Sequence, residues 1–242
     1  MAHLSWSQLT MHEKCPFEWY TKYVLKAIPY AKNIHFTVGS AAHAAVEAAM
    51  VQWGSMGKLT IPEMVGIYVN YLKKEGVVDP DDLIYWTMCG QNMLGAWYSW
   101  ATQHHIEVLV TEQKVTRDDF VGVVDCIAKI DDQLYIIDWK TSSSKYTQEK
   151  VDKDGQVTAY MWLTDRYDAQ VAYGILVKGL SMFQFLPSTR TKEDVDQFLI
   201  RVAVMRHEII KYSDTDLVPR NVGSQCDMCD LYPNMCEGRD DF

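Results

Sequence analysis

No apolar run in this sequence approaches the ~20 residues that a bilayer-spanning helix needs. The N-terminus, MAHLSWSQLT, lacks the basic-then-apolar order of a secretory leader. Both absences point to a soluble, cytoplasmic protein with no membrane partner. Cysteine is scarce: six in 242 residues are too few for a disulfide scaffold. In a reducing compartment, clustered cysteines more often bind metal. Positive charge is short as well. The formal net charge of −9 argues against a general nucleic-acid coat. It leaves room for a local basic channel, because affinity depends on charge near the phosphates. Residues 1–32 carry such an excess, Lys14, Lys22, Lys26 and Lys32 against Glu13 and Glu18. There is no internal repeat, no low-complexity tract and no GxxxxGK[ST] phosphate loop, so a helicase motor is not expected.

What is present is a chain with 48% hydrophobic residues, enough for a sizeable core and a single domain. SWSQLTMHEKCPFEWYTKYVL reads as helix, capped by Ser5 or Ser7, with Pro16 either kinking it or opening a second segment. VGSAAHAAVEAAMVQWG is a second helix, with Gly54 near its end, and residues 62–75 and 80–105 are further helices. Near Ile106 the period changes. IEVLVTEQKVT, FVGVVDCIAKI and QLYIIDWKT are strand-like runs separated by RDD and DDQ, which predicts an antiparallel meander. A helix over about 147–166 follows, then strands in AQVAYGILVKG and SMFQFLP, then an amphipathic helix over about 191–212. The expected fold class is α/β, a small mixed sheet flanked by helices. Residues 1–105 form a mainly helical part, 106–212 an α/β core and 213–242 a tail.

The third strand-like run ends in Asp138, Trp139 and Lys140. Side chains alternate along a strand, so Asp138 and Lys140 share one face and Trp139 takes the other. One strand earlier, Asp125 stands among apolar residues. Hairpin pairing brings the two carboxylates together, and close carboxylates repel unless a cation lies between them. Mg²⁺ or Mn²⁺ with oxygen ligands is the usual solution. Lys140 would then position an attacking water or neutralise developing charge. The alternative is a plain salt bridge at a strand end. Two further pairs fall on shared helix faces: Gln156 with Tyr160, and His43 with Glu47. Taken singly, each also reads as an ordinary core-edge contact.

The order GSAAH (39–43), GVVD (122–125), DWK (138–140), QVTAY (156–160) resembles the RecB-like branch of the PD-(D/E)XK nucleases. That resemblance implies a restriction-endonuclease-like core and metal-dependent hydrolysis of DNA phosphodiesters. His43, Asp125, Asp138 and the Trp139 backbone carbonyl would ligate Mg²⁺ or Mn²⁺. Lys140 would be catalytic together with Asp125 and Asp138, and Gln156 and Tyr160 would support the site and contact DNA. The implied enzyme is an exonuclease on single strands or ends, with endonuclease action open. Recombination, repair or CRISPR adaptation would supply its protein partners; the oligomeric state is open.

The tail segment QCDMCDLYPNMC holds Cys226, Cys229 and Cys236, one thiolate short of a closed site. AddB-type and CRISPR-associated RecB-like nucleases are similar here too, with one cysteine before the core and three after it. The resemblance therefore implies Cys15 as fourth ligand of a [4Fe–4S] cluster joining the chain ends. By spacing alone, Zn²⁺ remains the alternative. Cys89 and Cys126 read as buried, inert thiols. Lys140, Lys145, Lys150 and Lys153 line a segment that either touches phosphates or is simply solvated. Two competing functions stand beside the nuclease: a non-catalytic DNA- or protein-binding module keeping the fold, and a zinc-stabilised regulatory protein.

Overall fold

The structure is a computed structural model describing residues 3–27, 33–53, 57–215, 217–232 and 235–236. Lys32 of the basic excess and Gly54 of the expected helix end lie outside them. The described residues fall into two compact units.

The larger unit covers residues 33–115 and 122–191. It holds helices α3 (Ile34–Trp53), α4 (Ile61–Lys74), α5 (Pro80–Ala101), α6 (Gln148–Lys153) and α7 (Gln156–Thr164). Local chemistry sets several of these starts. Thr60 and Glu63 form a reciprocal capping box at α4, and the Asp79 carboxylate accepts from Asp81 and Asp82 N–H at α5. Five strands, β1 (Ile106–Arg117), β2 (Phe120–Ile130), β3 (Gln133–Ser142), β4 (Gln170–Val177) and β5 (Met182–Ser188), lie in the order β1-β2-β3-β4-β5. β2 runs antiparallel to β3, β3 parallel to β4, and β4 antiparallel to β5. The sheet is therefore mixed, because α6 and α7 make the crossover that a parallel pair requires.

Alternation sorts the two faces of the sheet. Cys126, Ala128, Ile137, Trp139, Ala172 and Leu176 pack into one core with α3, α4 and α5. Trp139 is 1% exposed there, edge-on to Trp97. The opposite face carries Asp125, Ile127, Ile136, Asp138, Lys140, Tyr173 and Ile175, and α7 packs against β3 and β4.

The expected helix over 147–166 is two helices. α6 ends at Lys153, and α7 restarts at Gln156 after Gly155, with the Asp154 carboxylate accepting the Gln156 N–H at 2.9 Å. An Asp-Gly pair is a turn signal, and here it overrides helix periodicity.

The smaller unit contains α1 (Trp6–Lys14), α2 (Pro16–Tyr23), Thr116–Val121 and α8 (Lys192–Thr215). Ser5 caps α1, and Pro16 begins α2 rather than kinking a continuous helix. Its core includes Leu4, Leu9, Trp19, Phe120, Phe198 and Met205. Arg206 pairs with Asp119, and Arg201 clamps Glu13 through two bonds of 2.7 and 2.6 Å.

Candidate active site

The β2–β3 ladder runs from Ile130↔Gln133 to Cys126↔Ile137. One residue further on, a side chain takes over: the Trp139 N–H donates to Asp125 Oδ2 at 2.8 Å. At this point α3, which packs on the other face of the sheet, delivers His43. Its Nδ1 lies 3.7 Å from Asp125 Oδ2, and the Trp139 backbone carbonyl faces the imidazole and favours its protonated form. The delivery depends on close approach. A Cβ on Gly39, one turn before His43, would lie 3.0 Å from Thr141 Oγ1, a tight contact that glycine avoids. Gly122 likewise makes room for side chains of α7. A Cβ there would lie 2.6 Å from Leu163 Cδ1 and 3.3 Å from Tyr160 Cε1.

Charge is concentrated in this gap. Asp138 is 1% exposed and its Oδ2 lies 2.7 Å from Lys140 Nζ, an ion pair whose approach is too oblique for a good hydrogen bond. Lys140 Nζ donates to Gln156 Oε1 at 2.8 Å, and Gln156 Nε2 donates to the Tyr160 hydroxyl at 2.8 Å. Burial, reinforced by Asp138, pushes the Asp125 carboxyl up to about 8. Burial alone would lower the Lys140 ammonium, but Asp138, Asp125 and Asp154 outweigh it and hold the pKa above that of an ordinary lysine. Burial also pulls the His43 imidazole down, against Asp138 and the Trp139 carbonyl. The Tyr160 phenol is raised, by burial first and then by Asp138 and Asp125.

Among the described residues, ligand atoms of His43, Glu112 and Asp125 all lie within 4.8 Å of one another. Glu112 was not foreseen from the sequence. It has φ +46, and the in–out pattern of β1 breaks at Val110 and Thr111, as at a bulge that re-aims a side chain. An acid in a strand-like run carries no signal of that kind. Although exposed as a residue, Glu112 has its carboxyl raised by local desolvation, Glu47 and Asp138. His43, Glu47 and Glu112 open onto a cleft of about 530 Å³. Asp138 pairs with Lys140 at the buried side of the group, outside the three closest ligands. Of the lysine-rich segment, Lys153 pairs with Glu149 and Lys150 lies 3.4 Å from the centroid of the Tyr146 ring.

A separate constellation lies within the smaller unit. Cys15 is the extended residue between α1 and α2, Cys226 sits in a 3-10 turn (Ser224–Met228), and Cys229 ends that turn. With Cys236 they line one small cavity, beside buried Glu18 and Leu231. Burial pushes the Cys229 thiol up, while hydrogen bonds from the Leu231 and Tyr232 backbone act in the opposite direction. Lys14 pairs with Glu18 at 3.0 Å. Cys89 and Cys126 are buried away from this set in the core of the larger unit.

A family model described as the PD-(D/E)XK nuclease superfamily matches residues 3–237. The human protein mitochondrial genome maintenance exonuclease 1 is 32% identical over 98 residues, 36% of this chain and 28% of that protein. The match thus spans little more than a quarter of that relative's length. The crystal structure of SSO0001 is similar over 91% of this chain and 96% of that one, at 11% identity and a TM-score of 0.34.

Proposed function

The chain belongs to the PD-(D/E)XK nuclease superfamily, and from that premise we propose that it is a divalent-metal-dependent deoxyribonuclease acting on single-stranded DNA or DNA ends. The observation that carries this reading is the convergence of His43, Glu112 and Asp125 beside the Asp138–Lys140 pair. These donors fit a hard divalent cation. They are oxygen and imidazole ligands, and the carboxyls of Asp125 and Glu112 are held above their ordinary values by burial and by neighbouring carboxylates.

A cation bound there supplies Lewis-acid stabilisation of charge on a phosphate and makes a nearby water easier to deprotonate. The chain's own residues do the rest. The lowered His43 remains neutral near pH 7, with a ring lone pair available for ligation. The raised Lys140 remains an ammonium, so it acts as a fixed positive charge that stabilises the developing phosphorane charge or orients the water, and not as a base. Gln156 holds that ammonium by accepting from it, and Tyr160 holds Gln156. The Trp139 carbonyl, next to His43, would be a further oxygen ligand.

The exonuclease mode draws on the human relative, which is named an exonuclease. A role in recombination, repair or CRISPR adaptation draws on the RecB-like motif order alone. We also assign Cys15, Cys226, Cys229 and Cys236 to a [4Fe–4S] cluster, with Zn²⁺ as the alternative. The shared cavity supports a four-thiolate site, and the colour of the protein separates the two metals.

The test is incubation with end-labelled single-stranded and duplex DNA in Mg²⁺, Mn²⁺ or EDTA. Progressive loss of label from single strands, abolished by EDTA, is expected. A protein that binds DNA in all three conditions and cuts none is the non-catalytic module instead.

A further inference from the structure

The cleft continues along α3 past His43. Phe36, Gly39, Ser40, His43 and Glu47 all line it, a stripe at helical spacing that runs from the helix start to the metal donors. Seven residues of helix separate Phe36 from His43, about 10 Å. Phe36 is 68% exposed, a whole aromatic ring turned to water on the rim of a cleft that leads to the hydrolytic group. Opposite α3, Lys178 lines the same cleft. Its backbone N–H bonds the Ser142 carbonyl at 2.7 Å, which anchors it where β3 and β4 end. Its side chain is half-buried, and among the described residues no carboxylate pairs with it, although Glu47 and Glu112 line the same cleft. Burial pulls its ammonium below the ordinary lysine value, as expected of a cation short of a counter-charge.

Acids gathered at one end, a cation in the wall with no carboxylate partner among the described residues and an exposed ring on the rim match the pieces of a nucleotide chain. We propose that this cleft holds an unpaired DNA strand, with Phe36 stacking on a base flanking the cut and Lys178 contacting a neighbouring phosphate. A base inside a duplex has both faces stacked and offers none to Phe36, so the ring selects for unpaired strand. The proposal rests on the nuclease reading of the adjoining donors, which supplies the anionic chain with its place in the cleft.

Binding is measured without cleavage, in EDTA, by fluorescence anisotropy of a labelled oligo-dT and of a blunt hairpin duplex. Phe36→Ala is expected to weaken oligo-dT binding about tenfold, with Phe36→Trp restoring it and the hairpin affected less. Lys178→Gln is expected to weaken oligo-dT binding and flatten its log–log salt dependence by about 0.7. In Mn²⁺ both variants should raise KM for single strands. Phe36 is exposed, so its variants do not threaten the fold, and thermal melts check Lys178→Gln. Wild-type dissociation constants and salt slope in both variants would overturn the subsite, even if the wild-type protein cleaves DNA. Lost oligo-dT binding in both variants of a wild-type protein that does not cleave supports the subsite and removes the nuclease reading.

Discussion

The Trp139 backbone N–H donates to the Asp125 carboxylate at 2.8 Å, so one side chain takes over from the β2–β3 ladder and also faces His43. In the proposed reading Asp125 therefore has a ligating task beside its structural one, and the two are separable. Asp125→Asn keeps an acceptor for Trp139 and removes the charge. We expect it to melt close to the wild type in EDTA but to lose the stabilisation that Mn²⁺ gives the wild type. Asp125→Ala orphans a buried N–H and should cost about 1–3 kcal/mol as well. Thermal melts with and without Mn²⁺ check both, and an undiminished Mn²⁺ shift in Asp125→Asn would remove this residue from the ligand set.

The raised Asp125 carboxyl makes metal-free stability depend on pH. Between its unfolded value of 3.8 and its folded value of about 8, the folded state keeps a proton that the unfolded chain has lost. Stability therefore falls as pH rises through that window. Below 6.5, the lowered His43 and His12 act in the opposite sense. The clean interval is pH 6.5 to 8, where the EDTA-treated protein should lose about 1–2 kcal/mol. Asp125→Asn should flatten the profile. A wild-type profile that is flat or rising over this interval contradicts the assignment.

Gln156 bridges Lys140 and Tyr160 with two 2.8 Å bonds. Gln156→Leu removes both and leaves the ammonium held by Asp138 alone. Turnover should fall by about one to two orders of magnitude, as loss of a positioning bond to a charged group entails, with Mn²⁺ affinity retained. Gln156→Glu keeps an acceptor for the lysine and should recover part of the loss. Equal turnover in all three proteins would mean that Lys140 needs no such support.

The motif order was legible through its resemblance to the RecB-like nucleases, and local periodicity supplied only which residues share a face. Asp138 and Lys140 share a strand face by alternation, and Gly39 and His43 share a helix face by spacing. The glycines have packing reasons the sequence does not display: Gly39 admits Thr141, and Gly122 admits Leu163 and Tyr160. Glu112 was not legible, because a left-handed residue within a strand shifts the alternation on which face assignments depend. The division of residues 147–166 into α6 and α7 was legible in principle from Asp154-Gly155. It matters to the site, since the restart at Gln156 aims that side chain at Lys140.

The four-cysteine cavity makes a separable prediction. Protein purified without oxygen should be brown, with about four irons per chain, and zinc would leave it colourless. Cys15→Ala should lose the colour as completely as Cys229→Ala, while Cys89→Ala and Cys126→Ala should keep it. Visible absorption and iron analysis decide. A brown Cys15→Ala beside a bleached Cys89→Ala would mean that the fourth thiolate is wrongly assigned.

The central claim is that the carboxylate–lysine gap between β2 and β3 hydrolyses DNA. Its most direct test is the Mn²⁺-dependent rate of cleavage of an end-labelled single strand by wild type, Asp138→Asn and Lys140→Met, all checked for native melting. The wild type should cut, with EDTA stopping it, and both variants should fall at least a hundredfold, as loss of a group that stabilises transition-state charge entails. Cleavage by either variant at the wild-type rate would contradict the account.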